Sequence, residues 1–273
     1  LGEDDRRTIL NERVALGLPT LAGLELHEAL RTAKEIGFRS VMSLPGGPNT
    51  RHSLGEFPTL RFYELNEEER DGLKESLRWF KHIAIHQAWN DDWKSWMDCA
   101  AYLEAEIVTI HHRPEIPVED QAEHLRKVGN YAMRRGIRVG IENVGGNSGG
   151  FVSLIESVKH PSVGATLDVG HCAYFDEIKS ISDARKRAEE LNELVEKLVK
   201  KLDGRLFHLH VHNVRPGDWR DHRSVPEGVI DFPRLFSALK GIDYGGLFVM
   251  ELEESEMIEK AEESGRYISE LLK

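Results

Sequence analysis

Two cysteines, Cys99 and Cys172, are all that the 273 residues contain. That is too few for a disulfide framework or a cysteine-based zinc site, and a reduced, cytoplasmic setting is the expectation. Long hydrophobic runs are also missing. The longest apolar stretches are strand-sized, so no segment is expected to span a bilayer and no membrane partner is expected. The opening residues Leu1–Arg7 lack the hydrophobic core of a signal peptide. Positive charge is in deficit, with 36 Lys and Arg against 47 Asp and Glu and a net charge of −11. Such a field repels a bare phosphate backbone unless basic residues gather on one surface, so nucleic acid is not the expected partner. Walker loop, dinucleotide fingerprint, nucleophile elbow and His-Glu-x-x-His helix are all absent, and His27-Glu28 has no second histidine four residues on.

What is present is alternation. Short β-branched runs at Thr8–Ala15, Ser40–Leu44, His82–Trp89, Ile107–His111, Arg138–Val144, Gly164–Val169, Leu206–Asn213 and Leu247–Leu252 predict strands. Between them, helical periodicity covers Leu24–Ile36, Glu67–Phe80, Asp91–Glu104, Val118–Arg135, Phe151–Val158, Ile181–Leu202, Phe232–Leu239 and Met257–Leu272. Strand–helix alternation implies parallel strands joined by crossover helices, and eight units can close without leaving a sheet edge. The expected fold is therefore α/β, a single (β/α)8 TIM barrel formed by one domain over residues 1–273. No linker, repeat or low-complexity tract points to a second domain. The charged run Ala184–Lys201 reads as a solvated helix face. Self-association into a homo-oligomer is compatible with this reading.

Parity within the strands carries the functional signal. Val139 and Ile141 share one face and leave Gly140 and Glu142 on the other. Ala165, Leu167 and Val169 alternate with Thr166 and Asp168, Leu209 and Val211 with His208, His210 and His212, and Met250 and Leu252 with Glu251. In a closed barrel one face packs on the helices and the other points to the axis. Glu142, Asp168, His210 and Glu251, each late in its strand, are thus expected to converge at the C-terminal mouth, where barrel enzymes place their chemistry. His86 and His111 share that parity. Buried carboxylates and imidazoles are costly to desolvate without compensation, and a divalent cation supplies it. Mixed oxygen and nitrogen donors suit Mn, Zn, Co or Mg without choosing among them.

The strings IENV (141–144), LDVGH (167–171), HLHVHN (208–213), HRSVPEGVIDF (222–232) and MELE (250–253) occur in the order expected for the xylose isomerase-like barrel superfamily, which this chain resembles over nearly its whole length. That group includes ketose 3-epimerases, hydroxypyruvate isomerase, inosose-processing enzymes and endonuclease IV. The resemblance implies metal ligands at Glu142, Asp168, His210 and Glu251. In the sugar-converting members it also implies acid/base work at Glu142 and Glu251. There, a metal on a carbonyl and adjacent hydroxyl acidifies the intervening C–H, and two carboxylates remove and return the proton. The expected activity is that of a metal-dependent isomerase or epimerase acting on a small sugar, sugar derivative or sugar phosphate.

Endonuclease IV, the alternative, is a zinc phosphodiesterase with a richer cluster. Its additional histidines match His86, His111, His171 and His222, and a segment of its type appears as Ser224-Val225-Pro226-Glu227-Gly228. Departures exist on both sides. The endonuclease branch carries an aspartate two residues before the late histidine, where this chain has Arg220, with Asp221 adjacent. Its His-Pro-Gly is replaced by His111-His112-Arg113. The epimerase glutamate ending strand two is missing around Met42-Ser43-Leu44, and the family's Lys-Asp after the strand-seven histidine is His212-Asn213.

Loops at the mouth suggest further contacts. Arg113, Arg215, Arg220 and Arg223 could receive a phosphate or carboxylate, or could balance an acidic rim. Trp89 could form an apolar wall against a sugar, whereas Trp93 and Trp96 have the spacing of packing residues. The Gly- and Pro-containing segment Pro45–Glu64 is a candidate lid, and Gly145–Gly150 a mobile edge or a turn.

Overall fold

The computed structural model describes residues 9–46, 51–52, 54–88 and 90–273. Among them, β1 (Val14–Gly17), β2 (Ser40–Ser43), β3 (His82–His86), β4 (Ile107–His111), β5 (Arg138–Glu142), β6 (Val163–Asp168), β7 (Leu206–Val211) and β8 (Phe248–Met250) pair in parallel. They close in the order β1-β8-β7-β6-β5-β4-β3-β2. Around them run α1 (Leu26–Ile36), α2 (Glu67–Leu77), α3 (Trp93–Tyr102), α4 (Val118–Met133), α5 (Ser148–Val158), α6 (Ala184–Leu202), α7 (Phe232–Lys240) and α8 (Met257–Leu271). The expected TIM barrel is the observed fold. No helix among the described residues is long and apolar enough to cross a membrane.

Local chemistry starts the helices. Asn66 and Glu69 form a reciprocal capping box on α2, and Asp92, Asn147 and Asp183 accept from backbone N–H groups at the starts of α3, α5 and α6. The Asn147 cap corrects one boundary: α5 begins at Ser148, so Gly149 and Gly150 are helical rather than part of a mobile edge. The first strand is also shifted. Asn11 turns the chain by accepting from Arg13 N at 3.0 Å, and pairing starts only at Val14; Thr8 lies outside the described residues. Several strands stop two or three residues short of their hydrophobic runs, because the chain bends into the mouth loops. Of the candidate lid, residues 47–50 and 53 lie outside the description. Its second half is packed, with Leu60 and Phe62 buried and their N–H groups bonded to Leu44 and Pro45 carbonyls.

The strand faces sort as the alternation predicts. One large core fills the space between strands and helices, and a smaller inward cluster comprises Ala15, Met42, Ala84, Ile107, Leu247 and Val249. Two residues before the late polar positions, Thr109, Gly140, Thr166 and His208 form a layer beneath them. Thr109 and Thr166 hydroxyls lie 3.3 Å apart, and a Cβ on Gly140 would fall 2.0 Å from Thr166 Oγ1. Glycine at 140 is thus a packing requirement directly under the mouth. Gly140→Ala should destabilise by about 1–3 kcal/mol through overpacking, read by urea unfolding, and adding Thr166→Ala should recover part of the loss. Unchanged stability of the single variant would contradict this packing.

Candidate metal centre

Barrel closure brings the ends of six strands to one place. Glu142 ends β5 and Asp168 ends β6; His210 is the penultimate residue of β7, and Glu251 follows β8. His86 and His111 end β3 and β4. Register sets the pairs: His111 lies beside Glu142, and Asp168 beside His210. Gly17 makes room on the β1 side, since a Cβ there would meet the Met250 carbonyl at 2.8 Å and Glu251 Cγ at 3.0 Å.

Glu142 is at the middle, 1% exposed. Its Oε1 faces His210 Nδ1 at 3.2 Å and His171 Nδ1 at 3.4 Å. Its Oε2 faces His86 Nε2 at 3.1 Å and His111 Nε2 at 3.5 Å. His210 Nδ1 also meets Glu251 at 2.9 Å and Asp168 at 3.9 Å. Three groups of donor atoms result, each with all atoms within 4.8 Å of one another: His86, His111 and Glu142; Glu142, Asp168, His210 and Glu251; and Asp168, His171, His212 and His222. Glu142 and Asp168 each belong to two groups, so each can bridge.

These residues suit cations better than they suit one another. His86 Nδ1 lies 3.0 Å from the Gln87 carbonyl and donates to it. Neutral His86 therefore turns an Nε2 lone pair toward the Glu142 carboxylate and toward His111 Nε2 at 3.1 Å. That lone pair and the carboxylate are two acceptors facing each other, and they need a proton or a metal ion between them. Burial works against charge on Glu142, yet His210, His171 and His86 hold its carboxyl well below the usual range. Burial likewise opposes protonation of His171, but Asp168, Glu142 and Asp221 raise it to about 10. His210 is raised well above normal by Glu251 and Glu142 against the same desolvation. His111 differs: burial outweighs Glu142 and lowers it to about 4, leaving a neutral imidazole.

Comparison with known proteins follows the same line. The model of the xylose isomerase-like TIM barrel family matches residues 30–271. The chain belongs to that family. An uncharacterized protein of Methanocaldococcus jannaschii is 24% identical over 165 residues, 55% of this chain and 51% of its own, so the chain spans about half of that curated relative. Among solved structures, a D-tagatose 3-epimerase-like protein superposes with a TM-score of 0.69 at 18% identity, covering 94% of this chain and 96% of its own. The IOLI protein with a bound zinc atom gives 0.67 at 17% identity, covering 95% and 96%. At these identities the likeness is one of fold.

Within this family member, Glu142, Asp168, His210 and Glu251 form the central group, and His86, His111, His171 and His222 surround it. Trp89 lies outside the described residues. Arg215 pairs with Asp218 on an exposed loop. The other mouth arginines are also held by acids: Arg113 by Glu115 at 3.3 Å, Arg220 by Glu253 at 3.6 Å and Arg223 by Glu254 at 3.9 Å. A cleft of about 860 Å³ opens to one side, reaching the centre through His111 and flanked by Gln87, Trp93, Arg113, His124 and Val144.

Three residues at the centre escaped sequence reasoning. Asn143 clamps the Asp168 backbone at both ends, donating to its carbonyl and accepting from its N–H, each at 2.9 Å; its place after Glu142 in IENV was the available signal. Asp221 lies 3.5 Å from His171 Nε2 and 3.3 Å from His222 Nδ1, so a carboxylate is present although Arg220 stands where the endonuclease IV pattern has aspartate. His212 contacts Asp168 and was visible only as the third histidine of an alternating run.

Metal binding needs imidazole lone pairs that protons occupy while these carboxylates lack a cation. Since His171, His210 and His86 are raised, loading must expel protons, and affinity should climb as pH rises toward about 10, where His171 deprotonates unaided. Zn²⁺ calorimetry in buffers of different ionisation enthalpy should show net proton release; none, with pH-independent affinity, would contradict the assignment.

Proposed function

We propose that the chain is a divalent-metal-dependent isomerase or epimerase of a small sugar or sugar derivative, working by proton transfer at a carbon beside a carbonyl. The observation that carries this reading is the pair of carboxylates, Glu142 and Glu251, that approach His210 Nδ1 at 3.2 and 2.9 Å. Two acids at one candidate ion, contributed by β5 and by the chain just after β8, could address a substrate carbon from two directions.

A divalent ion held by Glu142, Asp168, His210 and Glu251 supplies Lewis acidity toward a carbonyl and its neighbouring hydroxyl. Glu251, 15% exposed on its side chain, is the more accessible carboxylate and takes the proton from the intervening carbon. Glu142 serves as the second acid/base, its charged form kept ready by the surrounding imidazoles. His171, reached from both Glu142 and Asp168, is placed to hold a substrate hydroxyl. The acid-paired arginines favour an uncharged sugar over a phosphorylated one, because Arg113, Arg215, Arg220 and Arg223 each face a competing carboxylate.

The test uses ketopentoses and ketohexoses incubated in D2O with Mn²⁺, with C–H exchange followed by NMR. Glu251→Gln and Glu142→Gln should each reduce exchange by about 10²-fold or more. Exchange undiminished in both variants would refute the acid/base roles.

A second reading, zinc-dependent hydrolysis of a phosphate ester such as abasic-site DNA, is favoured by one observation: His86 and His111 bring two more nitrogens to Glu142 Oε2. Bridging carboxylates of that kind suit multi-metal clamps on in-line displacement. Metal counting separates the readings. One tightly held ion per chain supports the isomerase, whereas two or three zinc ions, with abasic-DNA incision lost in His86→Ala, would support the hydrolase instead.

A further inference from the structure

Asp168, His171, His212 and His222 come close enough for each to offer an atom to one ion. The hydrogen bonds of His212 point to a different role for that side chain. The backbone N–H of His222 donates to His212 Nδ1 at 2.9 Å. Nδ1 also lies 3.4 Å from the Asn213 carbonyl, but the shorter bond from His222 N–H makes it an acceptor, which puts the hydrogen of neutral His212 on Nε2. That Nε2 lies 3.0 Å from both carboxylate oxygens of Asp168, and it donates to them. The lone pair a metal would need is therefore on the wrong side of the ring.

We propose that His212 is a positioning residue which locks the Asp168 carboxylate and seats His222, and that it is not itself a metal ligand. Asp168 Oδ1 also accepts from His171 N at 2.7 Å, whereas Oδ2 is the oxygen turned toward His171 Nδ1 at 3.6 Å and His210 Nδ1 at 3.9 Å. His212, the His171 N–H and the Asn143 clamp together leave Asp168 one orientation, with Oδ2 presented to the centre. Metal ligands held this way by a second hydrogen bond bind more tightly than free ones.

The other face of the His212 ring does the second task. His222 stacks on it with centroids 4.1 Å apart and planes within 13°. The backbone at His222 has φ 53°, an unfavourable region for histidine, and the His222 N–H bond to His212 helps to hold it there. The ring is fully buried, and its seat is shaped by Gly170, where a Cβ would fall 2.0 Å from His212 Cε1. His212 thereby ties the loop carrying Asp221 and His222 to the strand end carrying Asp168.

This proposal rests on the metal-centre reading, and Zn²⁺ and Co²⁺ binding to the full chain tests the two separately. His212→Gln can place an amide N–H near the Nε2 position, whereas His212→Asn reaches only as far as Nδ1 and His212→Leu donates nothing. The Leu and Asn variants should keep the metal count of the parent at saturation while losing about 10–100-fold in affinity. The Gln variant should recover most of that loss, and the visible bands of bound Co²⁺ should shift in the Leu and Asn variants and return in the Gln variant. A count lower by one ion in all three variants would mean that His212 is a ligand and would overturn the proposal. So would parental affinity and spectrum in a Leu or Asn variant shown by circular dichroism to be folded. If the parent itself bound neither metal, the centre and this proposal would fall together. In the metal-free parent, long-range ¹⁵N–¹H correlation should find the His212 proton on Nε2; a proton on Nδ1 contradicts the proposal without reference to any metal.

Discussion

The Glu142 carboxylate is a charge in a place where charge is expensive, and the architecture of the mouth follows from how it is compensated. Both oxygens face imidazoles from four different segments, after strands three, four, six and seven of the barrel or at their ends. Glu142 approached by only one histidine would be a weak ion pair offset by desolvation. With four, it becomes a hub whose removal would leave several raised imidazoles without a counter-charge. The small residues below it, Gly140 above all, exist on the same account: the ladder of inward residues must let the β5 and β6 strands approach until Glu142 and Asp168 share neighbours.

Much of this was legible because a barrel strand enforces strict alternation. Once eight strands are recognised, every second residue near a strand end points to the axis, and Glu142, Asp168, His210, Glu251, His86 and His111 follow from parity alone. The helices were legible through their periodicity, and the start of α5 was misplaced because periodicity does not reveal the Asn147 cap. Parity fails in the longer mouth loops. Asp221 reaches the centre through a loop with positive φ at Trp219 and His222, a path no period in the sequence describes. His212 and Asn143 are further cases. Their residue types suit ligands or structure equally well, and only the identity of the hydrogen-bond partner separates the two.

The acidic rim bears on what enters. Arg113, Arg215, Arg220 and Arg223 are each engaged by a neighbouring carboxylate, which weakens their pull on an anion. On the proposed reading a neutral polyol needs no such pull, whereas a polyanion would depend on metal charge to be drawn in. The balance between the two readings of function therefore comes down to how much positive charge the carboxylate–imidazole cluster holds when loaded.

The most direct measurement is anomalous diffraction from crystals grown with Zn²⁺ or Mn²⁺, recorded on either side of the metal absorption edge. The account predicts an anomalous peak about 2.0–2.3 Å from oxygens of Glu142, Asp168 and Glu251 and from His210 Nδ1. Its absence from that position, or ions bound only by exposed carboxylates elsewhere, would contradict the claim that these buried groups are assembled around a cation.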